Sequence, residues 1–334
     1  MLTNDQEDML RELARIVGAT TDDLMAVAAT LDKSTVPTVN DLMPAVLEAI
    51  PTPSARVYRT ALRRLSEFAG DRRLDEIKPT DLEAMAERVR AIAVRDPRAR
   101  SGYGAVEHFL DASRFFFAYA VRHGQLRASP ATVIKRQRRP RSPRRALTNS
   151  ELFELWTTIV DTSTDPELDD LALSFVRETA CRREGLLNLR LVDVLTNGPT
   201  VLLDEKFGDV REMPISDELC RRLLKHNRRH PGCNRVFHFS DGRCLTARRF
   251  DSMFTRARHH LGWASQLRVT LHWFRHTTLT DVRIVAGERV AQAYAGHSDS
   301  SSGVTGIYTK VSTEELREAH SALFKDRDRA GLVA

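Results

Sequence analysis

The sequence predicts a mainly α-helical protein in which an all-α domain precedes a mixed α/β domain with a small antiparallel sheet. Apolar residues recur at helical spacing through most of residues 38–125, which predicts the first domain. Further along, the stretch PTVLLDEKFGDVREMPIS alternates like a β-hairpin that turns at residues 207–209, and helical patterns flank it. A chain of 334 residues is long enough for both domains.

The composition predicts a soluble protein with a polyanionic partner. Hydrophobic residues make up 42% of the chain and charged residues 29%, and no apolar run approaches the roughly 20 residues of a membrane span, so we expect no membrane partner. The formal net charge is +6, but residues 1–37 carry −4, which leaves +10 for the remainder. Because the first 20 residues lack the features of a secretory signal, we expect a cytoplasmic protein.

Residues 1–37 are predicted to form an acidic helical N-terminal extension. Apolar spacing over residues 3–30 is typical of two short amphipathic helices. Their negative charge argues against an arm that binds phosphates. Two alternatives stay open, which are packing against the surface of an accessory protein and a small helical cap.

The predicted all-α domain spans residues 38–130, and its helices have one apolar and one basic face. In SARVYRTALRRLSEFAG the apolar face comprises Tyr58, Leu62, Leu65 and Phe68. Thr80 and Glu83 have the spacing of a capping box, which predicts that the next helix begins after Thr80. The aromatic residues of the following helix are predicted to lie in the core, and they are Phe109, Phe115, Phe116, Phe117 and Tyr119. Four arginines are predicted to form a basic, DNA-contacting face, and they are Arg56, Arg59, Arg63 and Arg64.

A basic linker is predicted over residues 131–147. In KRQRRPRSPRR seven of the eleven residues are basic and two are proline, a composition that favours extended backbone. Since like charges repel, we expect the linker to lie along DNA phosphates. A solvated linker and a nuclear-type targeting signal are the alternatives. The basic residues concerned are Lys135, Arg136, Arg138, Arg139, Arg141, Arg144 and Arg145.

The second domain is predicted to span residues 148–334, with a tail helix at its end. A capping box of Thr148 and Glu151 predicts its first helix, and the stretch LALSFVRETACRREGLLNLRLVDV predicts a continuous helix before the hairpin. Ser312 and Glu315 have capping-box spacing before the tail helix, which places four apolar residues near one face. These four are Leu316, Ala319, Leu323 and Phe324.

The four cysteines contain no C-x-x-C pair and are predicted to be buried as small hydrophobic residues. In HNRRHPGC, His226 and His230 lie four residues apart with Cys233 just beyond, so part of a zinc site is the alternative. We expect no metal and no cofactor.

Six ionisable residues of the second domain follow one another in a distinctive order. They are Arg182, Lys206, His272, Arg275, His297 and Tyr308. In this order, and with the flanking segments LLNLRLVDV, REMPIS, TLTDVRIVAG and IYTKV, the chain resembles the tyrosine recombinases, the phage-integrase family of enzymes that cut and rejoin DNA. The resemblance covers roughly residues 38–325, and it implies a core-binding domain followed by a catalytic domain.

The resemblance implies that these six residues are catalytic, and the side chains suit that chemistry. Arginine carries a permanent charge on a planar fork that matches a phosphate, so Arg182 and Arg275 would bind the scissile group. Tyr308 would attack phosphorus as the nucleophile. The family assigns protonation of the departing 5′ oxygen to the hairpin lysine, here Lys206. Histidine suits proton handling and hydrogen bonding, the tasks expected of His272 and His297 respectively.

Two departures from the family pattern and three competing residues accompany this assignment. Many relatives have glutamate where this chain has Gly185, and the interval of 11 residues between His297 and Tyr308 is slightly long. The competing residues are Arg183, His276 and Tyr294, which we place outside the catalytic set.

The resemblance further implies a homotetramer that exchanges strands of double-stranded DNA between two sites through a four-way junction, as in the integration of mobile elements. A catalytically idle DNA-binding regulator and a relaxing enzyme like the type IB topoisomerases are the alternatives.

Overall fold

The computed structural model describes residues 15–18, 20, 22–23, 36–95, 101–135, 144–204, 210–229, 234–296 and 311–324. The chain divides into two compact units, Met1–Arg141 and Ser142–Ala334. Most of the predicted N-terminal extension lies outside the described residues, as do Lys206, His297 and Tyr308. In the described part of the chain, no helix has both the length and the apolar character that a membrane span requires.

The first unit is helical throughout its described part, as predicted. Its helices are α1 Val39–Glu48, α2 Ala55–Ala69, α3 Pro79–Val94 and α4 Tyr103–Arg122. Leu62 and Leu65 of α2 are completely buried, as are the side chains of Phe116 and Phe117 on α4. Tyr119 is half-buried against the same core. The helical apolar spacing therefore predicted this core correctly.

The predicted capping box of Thr80 and Glu83 is wrong. Helix α3 begins at Pro79, and the backbone N–H of Lys78 donates to the Asp81 carboxylate at 2.9 Å. Proline suits the first helical position, because its fixed φ is already helical and its missing N–H would have no partner within the helix. The helix therefore starts two residues earlier than the sequence pattern indicates.

The second unit combines helices with one three-stranded antiparallel sheet of order β1-β2-β3. The strands are β1 Val194–Leu195, β2 Thr200–Asp204 and β3 Val210–Pro214. The helices are α5 Asn149–Asp161, α6 Pro166–Thr179, α7 Arg183–Asn188, α8 Asp217–Arg228, α9 Ala247–His260, α10 Gly262–Gln266, α11 Leu271–Tyr294 and α12 Thr313–Phe324. Strands β2 and β3 pair in the predicted hairpin, with Leu203 opposite Arg211. The predicted turn lies outside the described residues.

The predicted continuous helix around Arg182 is interrupted, which is a second correction. Helix α6 ends at Thr179, and Ala180 adopts the left-handed conformation with φ 47°. The Thr179 hydroxyl accepts from the backbone N–H of Cys181 at 3.2 Å, and Arg182 is extended before α7 begins. A hydroxyl that bonds nearby backbone competes with helical hydrogen bonding. Arg182 consequently lies at a corner between two helices, which we call the Arg182 corner (residues 179–182).

The core of the second unit holds the start of α11 in place. Trp273 and Phe274 are completely buried there, and the Phe274 ring lies 5.8 Å from Trp156 and 6.0 Å from Phe254 between centroids. Such aromatic contacts add to the stabilisation from area burial alone. This packing fixes the helical turn that carries His272 and Arg275.

The second unit also contains the cysteines and His226, one of the residues named in the zinc alternative. Cys181 and Cys220 are buried, and Cys244 is half-buried. His226 is buried, stacks on the His238 ring at 4.3 Å and places Nε2 3.1 Å from the His238 carbonyl oxygen. His230 and Cys233, which the zinc alternative needs, lie outside the described residues.

Helix α12 packs on its own unit. Ser312 and Glu315 form the predicted capping box, with the Ser312 N–H donating to the Glu315 carboxylate at 2.8 Å. Leu316, Ala319 and Leu323 pack into the same core as α11, and Phe324 is buried beneath the Arg177 guanidinium.

Candidate active site

Arg275 lies near the start of α11, one turn after His272, and is only 4% exposed. Its guanidinium donates to two backbone carbonyl oxygens, that of Ala180 and that of Ala295, the latter at 2.6 Å. Ala180 belongs to the Arg182 corner, and Ala295 follows the last residue of α11. Hydrogen bonds to carbonyls offset the cost of burying the charge and orient the fork. Arg275 thus joins the two segments that lead to Arg182 and His297.

His272 keeps more than a third of its surface exposed, but part of its imidazole is shielded from water and basic side chains lie near it. Its pKa is lowered from 6.5 to about 4, first because the surrounding protein removes water from the imidazole and then because of nearby positive charges. The charged neighbours are Arg144, Arg275, His276 and Arg182. His272 is therefore neutral at pH 7 and able to accept a proton.

Three arginines converge around His272, and one of them was predicted to have another role. Arg182 and Arg275 were expected here from their order in the sequence. Arg144 was predicted as a DNA contact of the linker, yet its charge lowers the pKa of His272 more than that of Arg275 does. Permanent cations fixed around one point create a site that attracts an anion and stabilises charge developing on it.

Arg177 joins the end of α6 to α11, the helix that carries His272 and Arg275. Its guanidinium is buried and donates to Thr278 Oγ1 at 2.9 Å and to Asp281 Oδ2 at 2.5 Å. The Thr278 hydroxyl donates to the Arg177 carbonyl oxygen at 2.8 Å. These reciprocal bonds hold the end of α6 against α11.

Glu178 connects the end of α6 to two further elements. Its carboxylate accepts from the backbone N–H of Ser216 at 2.7 Å, from the Ser216 hydroxyl at 2.9 Å, and from His320 Nε2 at 2.9 Å. Ser216 precedes α8, and His320 lies on α12. Nothing in the sequence pattern distinguishes Glu178 or Arg177 from other helical charges, so sequence reasoning missed both.

Two of the competing residues, Tyr294 and Arg183, occupy positions unsuited to the chemistry. Tyr294 is completely buried, its hydroxyl donates to the Glu178 carbonyl oxygen, and burial raises its pKa far above the usual value. The Arg183 guanidinium faces Glu184 at 3.4 Å and Asp251 at 3.8 Å. These contacts favour Arg182 over Arg183 and leave Tyr294 unavailable as a nucleophile.

A domain model described as the phage integrase family matches residues 145–315, just over half of the chain. The matched segment contains the Arg182 corner, the hairpin, α11 and the predicted nucleophile. The chain belongs to the phage integrase family of tyrosine recombinases.

Other members of this tyrosine recombinase family match over most of their length. Tyrosine recombinase XerC of Xanthomonas campestris is 23% identical over 271 residues, which cover 79% of this chain and 80% of that protein. Tyrosine recombinase XerD of Yersinia pestis is 25% identical over 279 residues, covering 79% and 88% respectively. The fold resembles a lambda integrase dimer bound to a COC′ core site, with a TM-score of 0.64, 14% identity and coverage of 86% of this chain and 81% of that one.

Three of the residues predicted to be catalytic in this family member lie outside the described residues. Lys206 falls in the connection between β2 and β3, and His297 directly follows Gly296. Tyr308 lies three residues before Val311, where the description resumes. The structure thus brings Arg182, His272 and Arg275 together, and the catalytic roles of all six residues stay predictions.

The arginines predicted to contact DNA differ in their surroundings. Arg56, Arg59 and Arg63 of α2 are exposed, whereas Arg64 is half-buried and lies 2.7 Å from Glu67. Arg145 donates to both carboxylate oxygens of Glu151, at 2.5 and 2.7 Å, and this contact lowers the pKa of Glu151 to about 2. Lys135 is exposed, and the predicted contacts Arg136, Arg138, Arg139 and Arg141 lie outside the described residues.

Proposed function

We propose that this protein is a site-specific DNA recombinase that cleaves and rejoins DNA through a 3′-phosphotyrosine intermediate. The observation that carries the proposal is the convergence of Arg144, Arg182 and Arg275 around a neutral His272 in a member of the tyrosine recombinase family. A phosphodiester gains negative charge as it is attacked, and fixed guanidinium groups stabilise that charge.

In each step of the proposed reaction one bond to phosphorus forms, another breaks, and two protons move. Arg182 and Arg275 bind the scissile phosphate while His297 hydrogen-bonds one of its oxygens. The Tyr308 oxygen attacks phosphorus, and its proton passes to the neutral His272. The bond from phosphorus to the 5′ oxygen breaks, and Lys206 supplies the proton to that oxygen. A 5′ hydroxyl of the partner strand then attacks the phosphotyrosine and gives its proton to Lys206, while the bond from phosphorus to Tyr308 breaks and His272 returns the proton to the tyrosine oxygen.

We further propose that four copies of the chain act on two sites of double-stranded DNA and exchange strands through a four-way junction. Supporting this, one structural neighbour is a lambda integrase tetramer bound to a Holliday junction, with a TM-score of 0.64 and 14% identity. Another is the Tn1549 transposon integrase in complex with circular intermediate DNA, with a TM-score of 0.62 and 16% identity. The negative charge of residues 1–37 suits an accessory-protein partner better than DNA phosphates, and the steps above need no metal or cofactor.

The decisive experiment traps the covalent intermediate on a nicked substrate that loses its 5′ fragment after cleavage. Wild-type protein should form an adduct that survives denaturation, whereas Tyr308→Phe should bind the same DNA without forming one. Tyr294→Phe is the matched control and should still form the adduct, because its hydroxyl is buried against Glu178.

Three results would contradict the proposal. An adduct formed by Tyr308→Phe would remove the nucleophile assignment. Wild-type protein that binds DNA without any adduct would indicate the idle regulator. Relaxation of supercoiled DNA that carries no recombination site would indicate the topoisomerase-like alternative.

A further inference from the structure

Arg211, on strand β3, contacts the same two backbone segments that Arg275 joins. One of its terminal nitrogens donates to the carbonyl oxygen of Tyr294 and lies 3.5 Å from that of Thr179. Arg275 donates to the carbonyl oxygens of the next residues along, Ala295 and Ala180. Two guanidinium groups, from different elements, therefore bridge neighbouring carbonyls of the Arg182 corner and of the end of α11.

The backbone at Gly296 is adapted to this arrangement. Gly296 has φ +60°, and a Cβ atom at this position would lie 3.0 Å from Arg211 Nε and 3.1 Å from its Cδ. A side chain would thus be strained by the left-handed conformation and would also press on Arg211. His297 is the next residue, so Arg211 lies against the backbone that leads directly to it.

Strand β3, which carries Arg211, is the third backbone segment of this arrangement. Arg211 lies five residues after Lys206, on the strand that pairs with β2 across the hairpin. Pairing with β2 fixes β3 in the sheet, so the contacts of Arg211 join the sheet to the other two segments.

We infer that Arg211 is a positioning residue for the recombinase reaction, which holds strand β3, the Arg182 corner and the backbone before His297 in one fixed arrangement. This role rests on the proposed function. Arginine suits it because one terminal nitrogen reaches both carbonyl oxygens from a rigid planar group that keeps its charge, whereas the ammonium of lysine lies on a shorter and more flexible stem. Arg211 acts through these carbonyls, and the groups that it positions act on the phosphate.

The test measures the single-turnover rate of adduct formation at saturating protein, together with DNA affinity and melting temperature. Arg211→Lys should bind DNA within about twofold of wild type yet cleave on the order of 10²-fold more slowly, the loss typical of slight misplacement of catalytic groups. The matched control is Arg317→Lys, since Arg317 of α12 also contacts strand β3, at 3.8 Å from Glu212, but pairs there with a carboxylate and not with a backbone carbonyl. It should cleave at the wild-type rate.

A substrate with a 5′ thiol leaving group distinguishes a loss of the Lys206 function from a loss of the whole arrangement. A thiol leaves without a proton donor, so this substrate should restore Lys206→Ala to nearly the wild-type rate. Arg211→Lys should stay slow on it, because the Arg182 corner and the backbone before His297 are misplaced. Full recovery of Arg211→Lys would overturn the inference, since it would confine the effect to Lys206.

Gly296→Ala tests the same arrangement from the opposite side and serves if Arg211→Lys fails to fold. It should reproduce the loss of cleavage rate, whereas Gly124→Ala should not, because Gly124 has φ +72° and open space around its Cβ position. Normal cleavage by either Arg211→Lys or Gly296→Ala, or a loss matched by weaker binding or lower melting temperature, would refute the positioning role. An inactive wild-type protein would instead refute the proposed function itself.

Discussion

Arg275 is almost fully buried, yet its guanidinium remains charged at every physiological pH. The two carbonyl oxygens that it contacts belong to residues 95 and 20 positions away in the chain. A buried charge is stable only when its donors are paired. The Arg275 guanidinium therefore needs the backbone at Ala180 and Ala295 in place, and its hydrogen bonds in turn hold that backbone. At the residue scale, the candidate site is therefore built from arginines and backbone carbonyls as well as from the side chains expected to contact a phosphate.

Lys206 provides the first prediction at this scale. Lys206→Ala should slow cleavage of ordinary DNA by about 10²- to 10⁴-fold, the usual contribution of a general acid, and should spare a substrate with a 5′ thiol leaving group. Single-turnover adduct formation on the two substrates measures the difference. An equal loss on both would remove the general-acid role.

His226 provides a second prediction, on the pH dependence of stability. Burial and the nearby His238 lower its pKa from 6.5 to about 4, so the unfolded chain binds this proton more tightly than the folded one. The free energy of unfolding should therefore fall as the pH drops from about 6.5 to about 4, by roughly 3 kcal/mol for this group.

His226→Gln should remove most of this loss while retaining a donor for the His238 carbonyl oxygen. The three tryptophans all lie in the second unit, so their fluorescence in urea reports its unfolding. His260→Gln, on an exposed histidine, is the control and should keep the wild-type pH profile. An unchanged profile in His226→Gln would contradict the assignment.

At the scale of elements, α12 stabilises the helix that leads into the Arg182 corner. His320 joins α12 to Glu178, and Glu178 also accepts the N–H and hydroxyl of Ser216 before α8. The family resemblance leaves open whether a tail helix packs on its own domain or on a neighbouring protomer. Residues 313–324 of this chain pack on their own unit, to which both their buried apolar residues and the contact of His320 with Glu178 attach them.

His320→Ala should lower the free energy of unfolding of the second unit by about 1–3 kcal/mol, because it leaves a largely buried carboxylate with one partner fewer. Urea unfolding followed by tryptophan fluorescence measures this loss. Ser321→Ala, on the exposed side of the same helix, should change stability by less than about 0.5 kcal/mol. Equal effects of the two substitutions would show that the Glu178 contact contributes little.

At the scale of the whole molecule, charge is distributed unevenly along the chain. The acidic N-terminal residues account for −4, and the remainder carries +10. Some arginines are paired with carboxylates within the chain, as Arg145 is with Glu151 and Arg64 with Glu67. The exposed arginines of α2 are therefore better placed than Arg64 to contact DNA phosphates.

Replacing Arg56, Arg59 and Arg63 together with glutamine should weaken DNA binding at every sequence. Each lost phosphate contact should reduce the magnitude of the slope of log affinity against log salt concentration by about 0.9. The slope of the triple variant should therefore be smaller in magnitude by roughly 2–3. Binding titrations over a range of salt concentrations measure the slope. Arg64→Gln should change it least, and an unchanged slope in the triple variant would exclude α2 from the interface.

The sequence by itself determined the family, the order of the predicted catalytic residues and most of the helices. Chemistry of this kind depends on side-chain type and order, and the three-residue interval between His272 and Arg275 places both on one helical turn. The paired hairpin strands followed in the same way from alternation, because side chains of a strand point to opposite faces. Local regularities of this sort are visible in a sequence.

The tertiary structure alone decided the break at Ala180, the placement of Arg144 beside His272 and the contacts of Arg211 and Glu178. Every residue has a carbonyl oxygen, so the sequence does not indicate which carbonyl a buried guanidinium will meet. That choice depends on packing between segments far apart in the chain, such as Arg211 and Tyr294, which are 83 positions apart. The expected ligands of the phosphate could thus be found by motif, whereas the groups that hold them in place became visible through long-range packing.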